Sequence, residues 1–274
     1  MKNNVLKGVF LVALGATSYG MLATFVKLAY KDGYTTAEVT SSQFIYGILG
    51  VLLINLFQKL VNKEKAQKAS SKNIFQLMVA GTSLGMTSVF YYLCVKYIDV
   101  SIAIVLLMQT VWMGVLLEWI LDKKRPSTQK IISVIIVLFG TFLATKLYEF
   151  TIQLDWSGIF WGILAAASFT TTMFTANKVA LEISSAQRSL YMLLGGAVIV
   201  FTFSAFTQIG TLNFEIFKNY GLFLALFGTI IPPILLNAGF PKTGLGLGSI
   251  VASLELPVSV LMAFLILNEK VVIW

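Results

Sequence analysis

What constrains this chain most is a succession of nine apolar stretches, at 6–30, 37–58, 73–97, 99–121, 128–147, 156–178, 185–207, 218–240 and 244–267. A bilayer core takes roughly 20 apolar residues per helix. With no water there to satisfy exposed backbone groups, only helices and closed barrels span it. Barrel strands would alternate apolar and polar residues, whereas these stretches are apolar all round. The pattern predicts an all-α polytopic membrane protein. The composition agrees, with 12% charged residues in 274 where a soluble domain carries about 25%, and a mean hydropathy of +0.85.

The first stretch, "LKGVFLVALGATSYGMLATFV", lacks the short apolar core and small-residue cleavage site of a signal peptide, so it reads as a retained helix. Connections are short except "QKLVNKEKAQKASSKN" at 58–73, which is polar, Lys-rich and placed outside the bilayer. No stretch suits a soluble domain.

Histidine is absent and Cys94 is the single cysteine, inside an apolar run. Those counts leave no disulfide framework, no usual zinc or haem ligand set and no His-based acid/base pair. No metal and no cofactor is expected, and no enzyme activity. The glycines of "KTGLGLGSIVAS" follow no strand, so they suit helix crossing at Gly244, Gly246 and Gly248 rather than a nucleotide. The net charge of +8 is no nucleic-acid signal, because its placement follows the membrane.

Cytoplasmic connections carry excess Lys and Arg. With the N-terminus inside, that side holds Lys2, Lys7, Lys59, Lys63, Lys65, Lys68, Lys72, Lys123, Lys124, Arg125, Lys130, Lys178, Arg188 and Lys242. The other side keeps only Lys27, Lys31, Lys96, Lys146, Lys218 and Lys270. A cytoplasmic N-terminus is therefore expected.

The chain also repeats itself. "GVFLVALGATSYGMLATFVKLA" (8–29) aligns with "GIFWGILAAASFTTTMFTANKVA" (158–180), setting Ser18 on Ser168 and Lys27 on Asn177. "TSSQFIYGILG" aligns with "SAQRSLYMLLG", pairing Gln43 with Arg188 and Tyr46 with Tyr191. Residues 95–124 align with 241–270, setting Gln109 on Glu255 and Val111 on Pro257. Five helices is an odd number, so successive copies must run in opposite senses, a pattern found in transporters with sites between the repeats. The expectation is a first repeat over 1–150 and a second over 151–274 lacking its last helix, with ten helices in the complete protein.

These residues resemble the EamA-type transporters of the drug/metabolite transporter superfamily. The likeness covers essentially the whole chain and rests on the five-plus-five repeat, the Lys closing "TFVKLAY", "SLELPVSVLMAFLILNEK" and its partner "LMQTVWMGVLLEWILDKK". The family's Leu-Glu-Pro pattern reads Leu254-Glu255-Leu256-Pro257 here, its proline one residue late, and Asn268 stands for a glycine. A helix-two arginine common in such proteins is Gln43 in the first repeat and survives as Arg188 in the second, which argues against an anionic substrate held from helix two. The resemblance implies a multi-pass protein of the cell inner membrane with both ends cytoplasmic. It also implies movement of small metabolites, often amino acids or related compounds and frequently outward.

Glu255 is the leading functional residue, since a carboxylate at membrane depth costs at least ~2.5–3.5 kcal/mol on insertion scales. Such a group faces a cavity or a partner or keeps its proton; the plainer reading is a neutral acid between helices. Pro257 and the pair Pro232–Pro233 are candidate hinges, or tolerated kinks. Gln109, Trp112, Tyr46, Tyr91, Tyr92, Tyr191, Asn237 and Arg188 could line a central substrate site. The competing readings are interfacial anchoring or packing for the aromatics and interhelical bonding for Gln109. Ser168, Thr171, Thr172 and Thr175, with Ser18 and Thr24, suit packing. Lys27 and Lys178 read as snorkelling to the interface, and Glu118 as interfacial. The expectation is a secondary transporter of a small-molecule substrate, working by alternating access with protons as coupling ion. A flippase for lipid or polyprenyl-linked substrates, or a non-catalytic membrane subunit, stays open beside it.

Overall fold

The structure, a computed structural model, describes residues 2–61, 69–123, 125–144, 155–208 and 210–269. Lys63, Lys65, Lys68, Lys124, Lys146, Lys270, Trp274 and the end of the fifth apolar stretch lie outside the described residues. Among the described residues every element is helical. In chain order they are α1 (Lys2–Lys31), α2 (Thr36–Val61), α3 (Ser71–Tyr97), α4 (Val100–Asp122), α5 (Thr128–Ala144), α6 (Trp156–Lys178), α7 (Ser185–Thr207), α8 (Phe217–Thr243) and α9 (Leu245–Leu267). Eight of them are long and apolar enough to cross a membrane, while α5 offers a shorter apolar helix, Thr128–Gly140.

Local sequence sets the helix ends. Ser70 and Asp155 accept from backbone N–H groups of the first turns of α3 and α6, and Ser184 with Gln187 forms a reciprocal cap on α7. Gly33 ends α1 in a turn at φ 86°. Contacts alternate along the chain as expected for successive crossings. Gly8 of α1 lies beside Lys242 and Thr243 of α8 at one end, called here the near end. Lys27 reaches the last turn of α3 at the other, far end.

Most of the packing runs between the first five helices and the later ones. Helix α1 packs on α8 and α9, α6 on α3 and α4, α2 on α7, and α4 on α9. Glycines allow the closest crossing: Gly81 and Gly85 of α3 lie against the backbone of Met192 and Gly196 of α7, and Gly195 against that of Met78.

Two helices are broken in the same way. In α4 the half α4a (Val100–Leu107) turns at Met108–Gln109 into α4b (Thr110–Asp122). In α9 the half α9a (Leu245–Ala252) turns at Ser253–Leu254 into α9b (Glu255–Met262) and a π turn, Ala263–Leu267. Gln109 N–H donates to Leu106 and Val111 N–H to Met108; likewise Leu254 donates to Val251 and Leu256 to Ser253. Both helices end on a left-handed residue, Lys123 at φ 51° and Asn268 at φ 57°. The break in α4 contains no proline, so Pro257 accompanies the break in α9 without being required for it. The matched breaks set Gln109 over Leu254, one residue from the register read in the sequence.

Candidate functional site

The break delivers Glu255 as the first residue of α9b, where the half-helix N-terminus favours negative charge. Its side chain is only 4% exposed, and Oε2 makes no hydrogen bond. It lines a small chamber of about 30 Å³ with Tyr19, Thr87, Ser88, Tyr91, Tyr92 and Phe169. A chamber of that size holds water but no metabolite. Tyr91 Oη is unpartnered as well, whereas Tyr92 donates its hydroxyl to Gln43 Oε1.

A second, smaller chamber of about 10 Å³ lies against the first, and Tyr19, Leu84 and Phe169 wall both. Tyr19 and Phe169 meet edge to face at 5.7 Å between the two chambers. The second is lined by Asn237, Met192, Pro233, Leu236 and Phe240. Asn237 Nδ2 donates to Ser189 Oγ at 2.9 Å, and its Oδ1 has no partner. The alignment that sets Ser18 on Ser168 also sets Tyr19 on Phe169, and the matched breaks carry Tyr92 onto Asn237. The two chambers are thus walled by corresponding residues of the two halves, one chamber carrying a carboxylate and the other an amide.

The remaining sequence candidates lie elsewhere. Gln109 is turned along its own helix, donating to Val105 O and accepting from Trp112 Nε1 at 2.9 Å, and Trp112 is 36% exposed on the outer surface. Tyr46 packs edge to face on Phe217, and Tyr191 joins the apolar cluster between α3 and α7. Arg188, 2% exposed, donates to four carbonyls: Val179, Thr175, Ala176 and Asn237, at 2.6–3.1 Å. It closes the C-terminal end of α6 and ties it to α8. Pro232 and Pro233 follow the π turn Leu226–Ile230 of α8, and Pro233 lines the second chamber. Pro257 is exposed on the outer face. Among the described residues no group of His, Cys, Asp and Glu is arranged to hold a metal ion.

Lys27 was expected to snorkel. Its Nζ instead donates to Val95 O at 2.8 Å and Ile98 O at 3.2 Å, closing the C-terminal end of α3. Asn177, on which it aligns, donates to Phe240 O at the end of α8. Lys178 does lie at the surface, paired with Asp122 at 3.0 Å. Thr172 bonds Ser83 across the α3–α6 contact, in keeping with a packing role. The sequence reading missed Tyr19, Phe169, Thr87 and Ser88, although the first two were implicit in its alignment.

A bundle of broken apolar helices around a buried carboxylate with an unpartnered oxygen and an amide with an unpartnered carbonyl defines a polytopic all-α membrane protein. The chain belongs to the EamA-like transporter family, whose profile matches residues 6–146 and again 156–274, and so to the drug/metabolite transporter superfamily. One crystal structure of a protein shares its fold, with a TM-score of 0.71 at 12% identity, over 92% of this chain and 88% of that one. Comparison with curated proteins found no match.

Proposed function

We propose that the protein is a secondary transporter that moves a small metabolite across the inner membrane, its N-terminus cytoplasmic, by alternating access between inverted repeats at 1–150 and 151–274. Glu255 is the coupling carboxylate, binding a proton and a solute amine in turn. One observation carries this reading: the Glu255 carboxylate has an unpartnered oxygen beside a small chamber between membrane-spanning helices. A bare charge there is strongly disfavoured, so the chamber can close only over a proton or over a cationic group. Exchanging one for the other on opposite sides couples solute movement to proton movement.

Sites for small molecules have volumes of about 300–1,000 Å³, so the solute enters only when the chambers widen. The breaks in α4 and α9 and the π turn beside Pro232–Pro233 are where the helices can bend without losing further backbone hydrogen bonds. Asn237 and Ser189 supply neutral hydrogen bonds to the rest of the solute.

The test uses full-length protein in liposomes holding a pH-sensitive dye, to which pools of amine-bearing metabolites are added. Wild type should move protons in response to one pool, and the Glu255→Gln protein should bind that pool in a thermal-shift assay without moving protons. Proton-coupled flux that survives Glu255→Gln would sink the proposal. Labelled-lipid scrambling without solute flux would make the protein a flippase.

A further inference from the structure

Six lysines were left on the side where the charge bias disfavours them, and three share one feature. At the far end of α1, α2, α3, α6 and α7 the structure opens a vestibule of about 770 Å³. Lys27, Lys31 and Lys96 line it, with the hydroxyls of Tyr30, Tyr34 and Thr207 and the ring of Trp161. Among the described residues its lining includes no acidic side chain.

The acids nearby are engaged elsewhere. Asp32 accepts the Tyr220 hydroxyl at 2.5 Å. Glu38 accepts from the backbone of Thr35 and Asn213 and from Gln208. Glu269 caps α4, accepting from Val100 N–H, Ser101 N–H and Ser101 Oγ. The charges on the vestibule lining itself are therefore all positive, with Asp32 and Glu38 as carboxylates just beyond it. Lys27 bonds two carbonyls and keeps one N–H of its ammonium for a ligand. On the repeat alignment Lys27 and Lys31 fall on the uncharged Asn177 and Leu181, whereas Lys96 falls on Lys242.

The vestibule also leads inward. Tyr30, on its wall, donates to Tyr92 O at 3.1 Å, and Tyr92 lines the Glu255 chamber. Tyr30 and Tyr92 thus stand between vestibule and chamber.

We propose that this vestibule is a separate binding site for an anionic group, a carboxylate or phosphate, on the transported solute. Lys31 and Lys96 draw the anion in, and Lys27 meets it at the vestibule wall before the solute passes Tyr92. The proposal rests on the transporter reading, but its test needs no transport. The volume lies within the range of small-molecule sites, and a one-signed concave surface concentrates counter-ions about tenfold or more.

Trp161 is a built-in reporter. In full-length protein with Trp112, Trp119, Trp156 and Trp274 changed to Phe, in phosphatidylcholine nanodiscs, its fluorescence is quenched with iodide, caesium or neutral acrylamide. Iodide should quench far better than caesium, and inorganic phosphate at constant ionic strength should protect. Lys31→Gln/Lys96→Gln should lower the iodide constant about threefold or more, with acrylamide unchanged as evidence that the fold persists. Equal iodide and caesium constants, or no protection by phosphate, would overturn the proposal. A fall in acrylamide quenching on moving to phosphatidylglycerol discs would also overturn it, because a lipid headgroup would then fill the site.

Discussion

Arg188 separates a binding role from a structural one. Its guanidinium makes four hydrogen bonds to main-chain carbonyls and none to a side chain, at 2% exposure. Arg188→Gln is the mildest truncation, because the corresponding position of the first half already holds Gln43. A glutamine amide has two N–H donors, so at least two of the four carbonyls lose their partner. Hydrogen bonds to charged groups contribute about 1.5–3 kcal/mol each, and breaking a buried charged network costs about 3–5 kcal/mol in total. The expected loss is therefore roughly 3 kcal/mol or more. At about 2–4 °C per kcal/mol, the thermal midpoint falls by roughly 6–12 °C. Tryptophan fluorescence during heating in detergent, and SDS titration of refolded protein, both measure it. An unchanged midpoint accompanied by weaker solute binding would show that Arg188 contacts the solute and that the carbonyl network is incidental.

Two further perturbations follow from close contacts. Gly195→Ala places a methyl group against the Met78 backbone of α3, which cannot give way. Overpacking costs about 1–3 kcal/mol and outweighs the ~1 kcal/mol gained in helix propensity, so the midpoint falls. Gly140→Ala in α5 meets nothing within 4 Å and should raise it slightly; a rise in both variants would refute the close-crossing argument. Glu269→Gln removes the charge from the cap on α4. It should increase labelling of a cysteine placed at Ser88, in a Cys94→Ser background, by an impermeant maleimide from the far side. Labelling no faster than in the parent would show that this cap does not hold the far end closed.

The helices were legible because twenty apolar residues in a row are a one-dimensional signal. The site was only half legible, and the reasons are geometric. Glu255 stood out because a carboxylate in an apolar run has few tolerable surroundings. Gln109 failed to join it because the break shifts the register by one residue. On a helix of 3.6 residues per turn that swings a side chain through about 100°, enough to move Gln109 from the chamber to Trp112. The break in α4 had no marker, since nothing in "LLMQTVW" interrupts backbone bonding as a proline does. Lys27 reads as a snorkelling residue from its length and position; that it closes α3 depends on where a helix some seventy residues later ends. Tyr19 and Phe169 needed only the alignment already made, but an aromatic pair in apolar runs has no chemical singularity to draw notice.

The correspondence between the halves also explains why they can differ in chemistry. Tyr19 and Phe169 occupy matching positions and touch each other, which happens only for residues close to the axis relating the halves. Each half then supplies one chamber on either side of that contact, and residues at matching positions face opposite ends of the molecule. Tyr92 with Gln43 looks toward the lysine vestibule; Asn237 with Ser189 and Arg188 looks toward the near end. A symmetric framework can adopt two mirrored closures of nearly equal energy, which is what alternating access requires. The unequal residues bias it: the Glu255 carboxylate lines the chamber on the far side of the Tyr19–Phe169 contact, and the neutral Asn237 amide, with Arg188 behind it, the chamber on the near side. On the proposed reading, a solute amine meets a complementary carboxylate in one of the two chambers only, and that asymmetry would give the frame a preferred binding face.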